Sequence, residues 1–446
     1  MSRSALHFFI AIFCPLAGLL VGTEARVEET ATITLYDNDP THPWNRLYAA
    51  LMVRAPEPKA AENDLLDPPY WFDTKDLLDG ESNRRAIARL REFVKEPPLP
   101  ASMSPLSRAV MQRDLLGIFH WLRSGSEWTV PKRELAVALA SAIHHVALSE
   151  EEIHKLPDNY AVAVAAKDAI TTYDSAHPAP FLPKDLLADD GPWLALAPKW
   201  DDGLAATFHF QTFYGRSVFE VRMRHPEGRA AGEAYLKELA AFQNPFVKEK
   251  PTEPAGVQRR GQWTNPATPQ FPVGTMWALV RRAILCDAKG MPEASPLVES
   301  VQIRVYRNLG FHSEPETCKV LGIEPAQFYF GWEMRRALLL GKGGFSLTSP
   351  EDHFYSDFPP RKNDPFLVTR NRQTSLNCYQ CHAGKGIHSV ASRMRLFDSQ
   401  QGDEPLARPP EFRAVNRANI DLVTVSQART QPGWVLLQWL TAPKAH

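Results

Sequence analysis

The sequence predicts an α+β protein with a helical N-terminal domain, a central antiparallel sheet with helices, and an irregular C-terminal segment. Three observations lead to this prediction. Apolar residues recur at helical spacing in the first half, alternate in the central part, and follow neither period after about residue 345. The chain has 446 residues, 44% of them hydrophobic, which is enough for two or three domains. We place the boundaries at 1–25, 26–205, 206–345 and 346–446.

Residues 1–25, MSRSALHFFIAIFCPLAGLLVGTEA, have the layout of a secretory signal peptide. Arg3 precedes an apolar run, and Thr23 and Ala25 are small residues that suit cleavage after Ala25. A retained anchor is the alternative, because the run is near the lower length limit for a membrane span. No later segment has that length and apolarity. We therefore expect an exported protein of the periplasm or cell envelope, without a membrane span after cleavage.

The segment 26–205 carries helix signals. SPLSRAVMQRDLLGIFHWLRSG begins with Ser104 as a cap and Pro105 at the first helical position. Ser149 and Glu152 have the spacing of a capping box for a short further helix. These signals predict a domain made of helices.

The segment 206–345 has strand signals. RSVFEVRMR and LVESVQIRVYR alternate apolar and polar residues, as expected for a sheet covered on one side. A helix is predicted between them in EGRAAGEAYLKELAAF. QFYFGWEMRRALLL also alternates and is interpreted as a strand, although its tail from Glu333 also suits a helix.

The segment 346–446 is irregular and rich in proline until a final helix, predicted in DLVTVSQ or GWVLLQWL. The net charge of the whole chain is −1, which argues against nucleic acid as the main partner because phosphate binding favours a basic surplus. Cys286 and Cys318 stand alone in the sequence. They are interpreted either as a disulfide that pins the sheet or as two buried thiols.

Cys378, Cys381 and His382 form the motif C-Y-Q-C-H. This spacing suits covalent attachment of haem c, in which two thiols bond to the vinyl groups and the adjacent imidazole binds the iron. A zinc site would need a second pair of ligands, and a thioredoxin-type disulfide would need a βαβ context. Neither is present in the pattern, and a structural disulfide is the remaining alternative. We expect one haem c, with its iron, per chain.

The five residues of the motif resemble the attachment site of c-type cytochromes. The resemblance implies that Cys378 and Cys381 form the thioethers and that His382 is the proximal axial ligand. The wider layout resembles secreted bacterial proteins that carry one such site near the C-terminus, followed by Gly-Ile-His-Ser, and this likeness implies no activity. An ordinary cytochrome c domain differs, because it is a small helical unit with its motif near the start and a distal methionine well downstream.

Three residues are candidates for the distal ligand. Met394 is the simplest, although it also suits an apolar plug against the haem. His353 lies in a loop before the motif, and His388 follows His382 so closely that it would need a sharp reversal. We expect single-electron transfer to a redox partner protein that the sequence does not identify. The alternatives are a peroxidase-like haem enzyme, with His353 as acid–base group, and a haem-based sensor with an open distal position.

Overall fold

The fold was obtained as a computed structural model, which describes residues 34–52, 77–95, 103–122, 127–198, 204–242, 246–247, 249–252, 263–310, 322, 324–342, 344–348, 382, 384–390 and 412–442. These residues combine helices with a seven-stranded antiparallel sheet. The predicted α+β class is confirmed.

The helices pack around and beside the sheet. In chain order they are α1 (Pro43–Met52), α2 (Gly80–Lys95), α3 (Pro105–Trp121), α4 (Val130–His145), α5 (Glu150–His154), α6 (Asn159–Val164), α7 (Thr207–Thr212), α8 (Arg229–Ala241), α9 (Arg336–Lys342), α10 (Ile387–Val390), α11 (Arg417–Thr430) and α12 (Pro432–Thr441).

The strands form one large and one small sheet. They are β1 (Trp193–Pro198), β2 (Ser217–Arg224), β3 (Phe246–Val247), β4 (Trp263–Thr264), β5 (Met276–Cys286), β6 (Pro292–Tyr306), β7 (Gln327–Met334), β8 (Phe345–Thr348) and β9 (Phe412–Val415). The large sheet has the order β8-β7-β6-β5-β2-β1-β9, and β3 pairs with β4.

The capping signals of the helical part are confirmed. The Ser104 side chain accepts a hydrogen bond from the backbone of Ser107, and Pro105 begins α3. Ser149 and Glu152 form the complete capping box of α5. Each cap satisfies backbone N–H groups that have no partner within the first helical turn.

The strand predictions are also confirmed for β2, β6 and β7. The end of the segment QFYFGWEMRRALLL forms the helix α9, which was the alternative given for it. Both segments considered for the final helix are helical, as α11 and α12. The large sheet takes β1 from the segment predicted as helical and β9 from the segment predicted as irregular. One sheet therefore contains strands from all three predicted parts of the chain.

Alternation along the strands gives the large sheet two apolar faces. We call one the Tyr306 face, because Leu194, Met223, Trp277 and Tyr306 lie on it and pack against α8. The opposite face, which we call the Val301 face, packs against α6 and the segment after it. Its buried residues include Trp193, Ala278, Val280, Val301, Ile303 and Val305. β1 is apolar on both sides because both faces are covered.

Three consecutive polar residues of α3 are buried against the sheet. The Gln112 side chain exchanges two hydrogen bonds of 2.8 Å with the backbone of Cys286 on β5. Arg113 Nε is 2.6 Å from Oε1 of Glu299 on β6. Asp114 accepts two hydrogen bonds, of 2.6 and 2.7 Å, from Arg336 at the start of α9. These contacts fix α3 against the sheet.

The edge strands of the large sheet, β8 and β9, follow each other among the described strands. Six strand spacings of about 4.8 Å put these edges roughly 29 Å apart. α10 lies between them in sequence and packs against the Tyr306 face.

We expect loss of one member of the buried pair Asp114–Arg336 to destabilise the fold. Both side chains are at most 1% exposed, so Arg336→Met leaves a buried carboxylate without its main partner. The free energy of unfolding in urea should fall by about 3–5 kcal/mol. The control is Arg84→Met, which breaks a pair in which both side chains are more than two thirds exposed, and which should change this value by less than about 1 kcal/mol. Equal losses of stability in the two variants would contradict the prediction that the buried pair matters more than the exposed one.

Candidate functional site

The described part of the C-Y-Q-C-H region is His382 together with residues 384–390. Cys378, Cys381, Met394 and His353 lie outside the described residues. The site is therefore built from the imidazole of His382 and the turn that follows it.

The turn 384–390 is docked on the Tyr306 face through an apolar residue and a backbone hydrogen bond. Ile387 is fully buried in the cluster that contains Trp277 and Phe271. Its backbone N–H donates to Oε1 of Gln270 at 2.9 Å. The burial of this isoleucine contributes about 2 kcal/mol, which is large for such a short segment.

Ser389 is the polar centre of the docked turn. Its hydroxyl donates to the carbonyl of Gly386 at 2.7 Å. Because that bond uses its only proton, the hydroxyl accepts from Tyr306 and from Nε2 of Gln327, the latter at 3.3 Å. Burial raises the pKa of Tyr306 to about 12, so its phenol keeps the proton that it donates. Two neighbouring strands thus hold one serine.

His382 is oriented by the same serine. Its Nδ1 lies 2.6 Å from the backbone carbonyl oxygen of Ser389. A carbonyl only accepts, so the proton of the neutral ring is on Nδ1 and the lone pair is on Nε2. Histidines that bind metals nearly always donate their second ring N–H to such an acceptor. The donor chemistry of this imidazole therefore suits an axial ligand bound through Nε2.

The two glycines of the turn permit its close contacts. Gly386 has a φ of +47°, and a methyl group at this position would overlap Oε1 of Gln270. A methyl group on Gly384 would lie 2.8 Å from the backbone of His388. These positions need glycine because the turn closes on itself and on Gln270.

His388 is buried in α10, beside Ser389. Burial lowers its pKa to about 4, although a hydrogen bond with the backbone of Asn265 works in the opposite direction. Its Nε2 is buried and has no hydrogen-bond partner among the described residues. The ring is therefore neutral at physiological pH.

A strip of the Tyr306 face beside this turn is only partly covered by the described residues. Val221, Leu279 and Gln302 lie opposite one another on β2, β5 and β6, and Arg304 and Tyr329 form the next row on β6 and β7. All five side chains keep partial exposure, whereas the flanking Phe219, Trp277 and Tyr306 are buried. The strip combines apolar side chains with the amide of Gln302 and the positive charge of Arg304.

His209 of α7 borders the same face, and the sequence reasoning missed it. Its ring centroid is 5.6 Å from that of Phe219. Burial lowers the pKa of His209 to about 4, and the positive charge of Arg304 acts in the same direction. The only signal in the sequence was a histidine between two phenylalanines, which is equally typical of a core residue.

Cys286 is a buried free thiol at the end of β5. Burial raises its pKa to about 12, and its Sγ lies 3.5 Å from the carbonyl of Asp287. Cys318 lies outside the described residues. The thiol of Cys286 is therefore an unreactive part of the core.

Comparisons of the chain with protein-family models, with curated proteins and with solved structures found no match. Within the described ranges, no three side chains of His, Cys, Asp or Glu form a group that would bind a metal ion. Nor does any helix in the part of the chain that the structure describes have the length and apolarity to span a membrane.

We expect Gly386→Ala to release the docked turn. The left-handed backbone costs an alanine about 1–2 kcal/mol, and the overlap with Gln270 adds to this. Hydrogen exchange at the amides of Ile387 and Ser389 should accelerate at least about tenfold. The control is Gly228→Ala, which has a φ of +94° but open space around it, and which should leave these two amides unchanged. Unchanged protection in Gly386→Ala would show that the turn is not docked as described.

The lowered pKa of His209 predicts a loss of stability in acid. Between about pH 6.5 and pH 4 the unfolded state binds a proton at this residue and the folded state does not, so stability falls as the pH is lowered. His209→Phe removes this contribution. The difference between the urea midpoints at pH 7.5 and pH 4.5 should shrink but not vanish, because His388 contributes with the same sign. An unchanged difference would contradict the prediction.

Proposed function

We propose that the protein is an exported c-type haem protein that transfers single electrons through one covalently attached haem. Cys378 and Cys381 would form the thioethers, and His382 would be the proximal ligand of the iron. The observation that carries the proposal is the hydrogen bond from Nδ1 of His382, the last residue of C-Y-Q-C-H, to the carbonyl of Ser389. The motif suggests the cofactor, and the bond independently gives the imidazole the tautomer that an iron ligand needs.

The residues present fit haem c in their donor chemistry. Two thiols three positions apart suit the two vinyl groups, and the next residue supplies a nitrogen ligand. Cys378, Cys381 and His382 would hold the haem, which would supply one-electron redox chemistry between ferrous and ferric iron. Zinc would need a second pair of ligands, and a redox disulfide would not need an oriented histidine directly after the second cysteine, so the arrangement favours haem.

The described residues would hold the proximal imidazole rigid. The carbonyl of Ser389 fixes the ring plane and increases the basicity of Nε2. Tyr306 and Gln327 in turn hold the Ser389 side chain from two adjacent strands. A rigid ligand suits electron transfer, since little reorganisation then accompanies a change of oxidation state.

The position of His388 argues against it as the distal ligand. It is next to Ser389 on α10, and the carbonyl of Ser389 lies behind the ring of His382, on the side away from Nε2. His388 would therefore share the side of the ring that carries Ser389, and not the side on which Nε2 would hold the iron. Met394 and His353 remain the candidates proposed from the sequence.

A haem enzyme or a haem-based sensor with an open distal position is the alternative function. One observation favours it, namely the neutral imidazole of His209 beside the partly covered strip of the Tyr306 face. A neutral histidine near a bound haem can accept a proton at physiological pH. Cyanide and carbon monoxide separate the functions, because an electron carrier with two strong axial ligands should bind neither readily.

The proposed location and partner follow from the N-terminal pattern. A signal peptide would direct the chain to the periplasm or cell envelope, where thioether attachment takes place after export. There it would exchange electrons with a redox partner protein. The sequence motif and the near-neutral charge give no indication of nucleic acid as a partner.

We expect the double variant Cys378→Ala, Cys381→Ala to lose covalent haem. The wild-type chain, expressed in a host with cytochrome c maturation, should retain a haem stain after denaturing electrophoresis and show the mass of one added haem. The double variant should show neither. The matched control is Cys286→Ala, which removes a buried thiol outside the motif and should keep both signals.

A wild-type protein that is exported but has the mass of the unmodified chain would overturn the proposal. A spectrum of the haem-containing protein then decides between the two functions. Low-spin iron that does not respond to cyanide or carbon monoxide supports electron transfer, and high-spin iron that binds them supports the alternative.

A further inference from the structure

Arg304 is a half-buried cation without a carboxylate partner among the described residues. It makes one hydrogen bond, from Nη1 to Oε1 of Gln327 at 3.1 Å, and its guanidinium lies 5.0 Å from the ring centroid of Tyr329. The buried arginines of the sheet, Arg222, Arg281 and Arg282, are each paired with an acid, as Arg281 is with Glu299 at 2.9 Å. A guanidinium that is partly withdrawn from water is stabilised by an anion, so Arg304 is available to bind one.

The guanidinium is linked to the site of His382 through a single side chain. The Gln327 amide accepts from Arg304 with Oε1 and donates to the Ser389 hydroxyl with Nε2. With each of these bonds about 3 Å long, Arg304 Nη1 lies within roughly 9 Å of the Ser389 hydroxyl. Arg304 therefore lies close to the turn that orients His382.

Arg304 is itself one of the partly exposed residues of the strip. Its positive charge acts to lower the pKa of Tyr306 and the pKa of His209, which lie near opposite ends of the strip. Stacking on Tyr329 and the bond to Gln327 use only part of its donors. The remaining N–H groups have the fork geometry that suits a carboxylate.

We propose that Arg304 binds a propionate of the haem, which would lie on the partly covered strip between α7 and the turn 384–390. This inference rests on the proposed function. Gln327 would then couple both ends of the site, since it bonds to the cation that binds the propionate and to the serine that orients the proximal histidine.

Arg307 is a matched control on the opposite face of the sheet. It follows the same strand, and its guanidinium lies 4.6 Å from the ring centroid of Phe328, but it is paired with Glu324 at 2.9 Å. Arg304→Gln and Arg307→Gln therefore remove the same charge and a similar ring contact from opposite faces. Only the first should affect a group bound on the Tyr306 face.

The experiment is a redox titration of the purified haem-containing wild-type chain and of both variants at several pH values. Removal of a cation beside the haem favours the ferric state, so Arg304→Gln should lower the midpoint potential. At fixed ambient potential, the ratio of reduced to oxidised protein should fall about threefold to tenfold, where tenfold corresponds to 59 mV for a one-electron couple. The potential of this variant should also rise as the pH falls from 7 to 5, because the released propionate then takes up a proton.

Arg307→Gln should keep the wild-type potential and its pH dependence. An Arg304→Gln titration that matches wild type would overturn the inference and leave the proposed function intact. A wild-type chain without haem would overturn both. If Arg304→Gln does not fold, Arg304→Lys is compared by resonance Raman spectroscopy. A shifted propionate band supports the inference, because lysine lacks the fork, and an unshifted band overturns it.

Discussion

The buried polar triplet of α3 is the constraint on which the rest of the structure depends. Gln112, Arg113 and Asp114 are consecutive, so their side chains leave the helix in three directions about 100° apart. Each direction ends on a different element, namely β5, β6 and the start of α9. A rotation of the helix, or its displacement by one turn, would leave buried charges unpaired. The contacts therefore give this helix a single arrangement on the sheet.

The register of the sheet determines the geometry of the site in the same way. Tyr306 and Gln327 are directly opposite each other on β6 and β7, so both side chains emerge on one face. A slip of one residue in β7 would move Gln327 to the other face and break its bonds to Ser389 and Arg304. The orientation of the His382 ring is thus set by strand pairing far from it in sequence.

Local signals in the sequence predicted local structure well. The capping residues of α3 and α5 and the alternation of β2 and β6 depend on neighbours along the chain, and the structure confirms them. β1 was missed because both of its faces are covered, so WLALAP shows no alternation. β9 was missed because a strand of only four residues is too short to show a period.

The same distinction holds for the candidate site. C-Y-Q-C-H can be recognised because its chemistry lies within five residues, and its assignment to haem stays a prediction. The residues that hold His382 could not be found in this way, since Tyr306 is 83 residues and Gln327 is 62 residues from Ser389. Arg304 and His209 become interpretable only when the fold shows what they face.

The late position of α12 in the chain has a consequence for the order in which the protein is assembled. Trp434 and Leu437 of α12 belong to the largest apolar cluster of the described residues, which also contains residues of α1 to α4. A chain exported from its N-terminus would deliver the C-Y-Q-C-H motif across the membrane before α12. Under the proposed function, an enzyme that attaches haem at that stage would meet a chain whose main core is still incomplete.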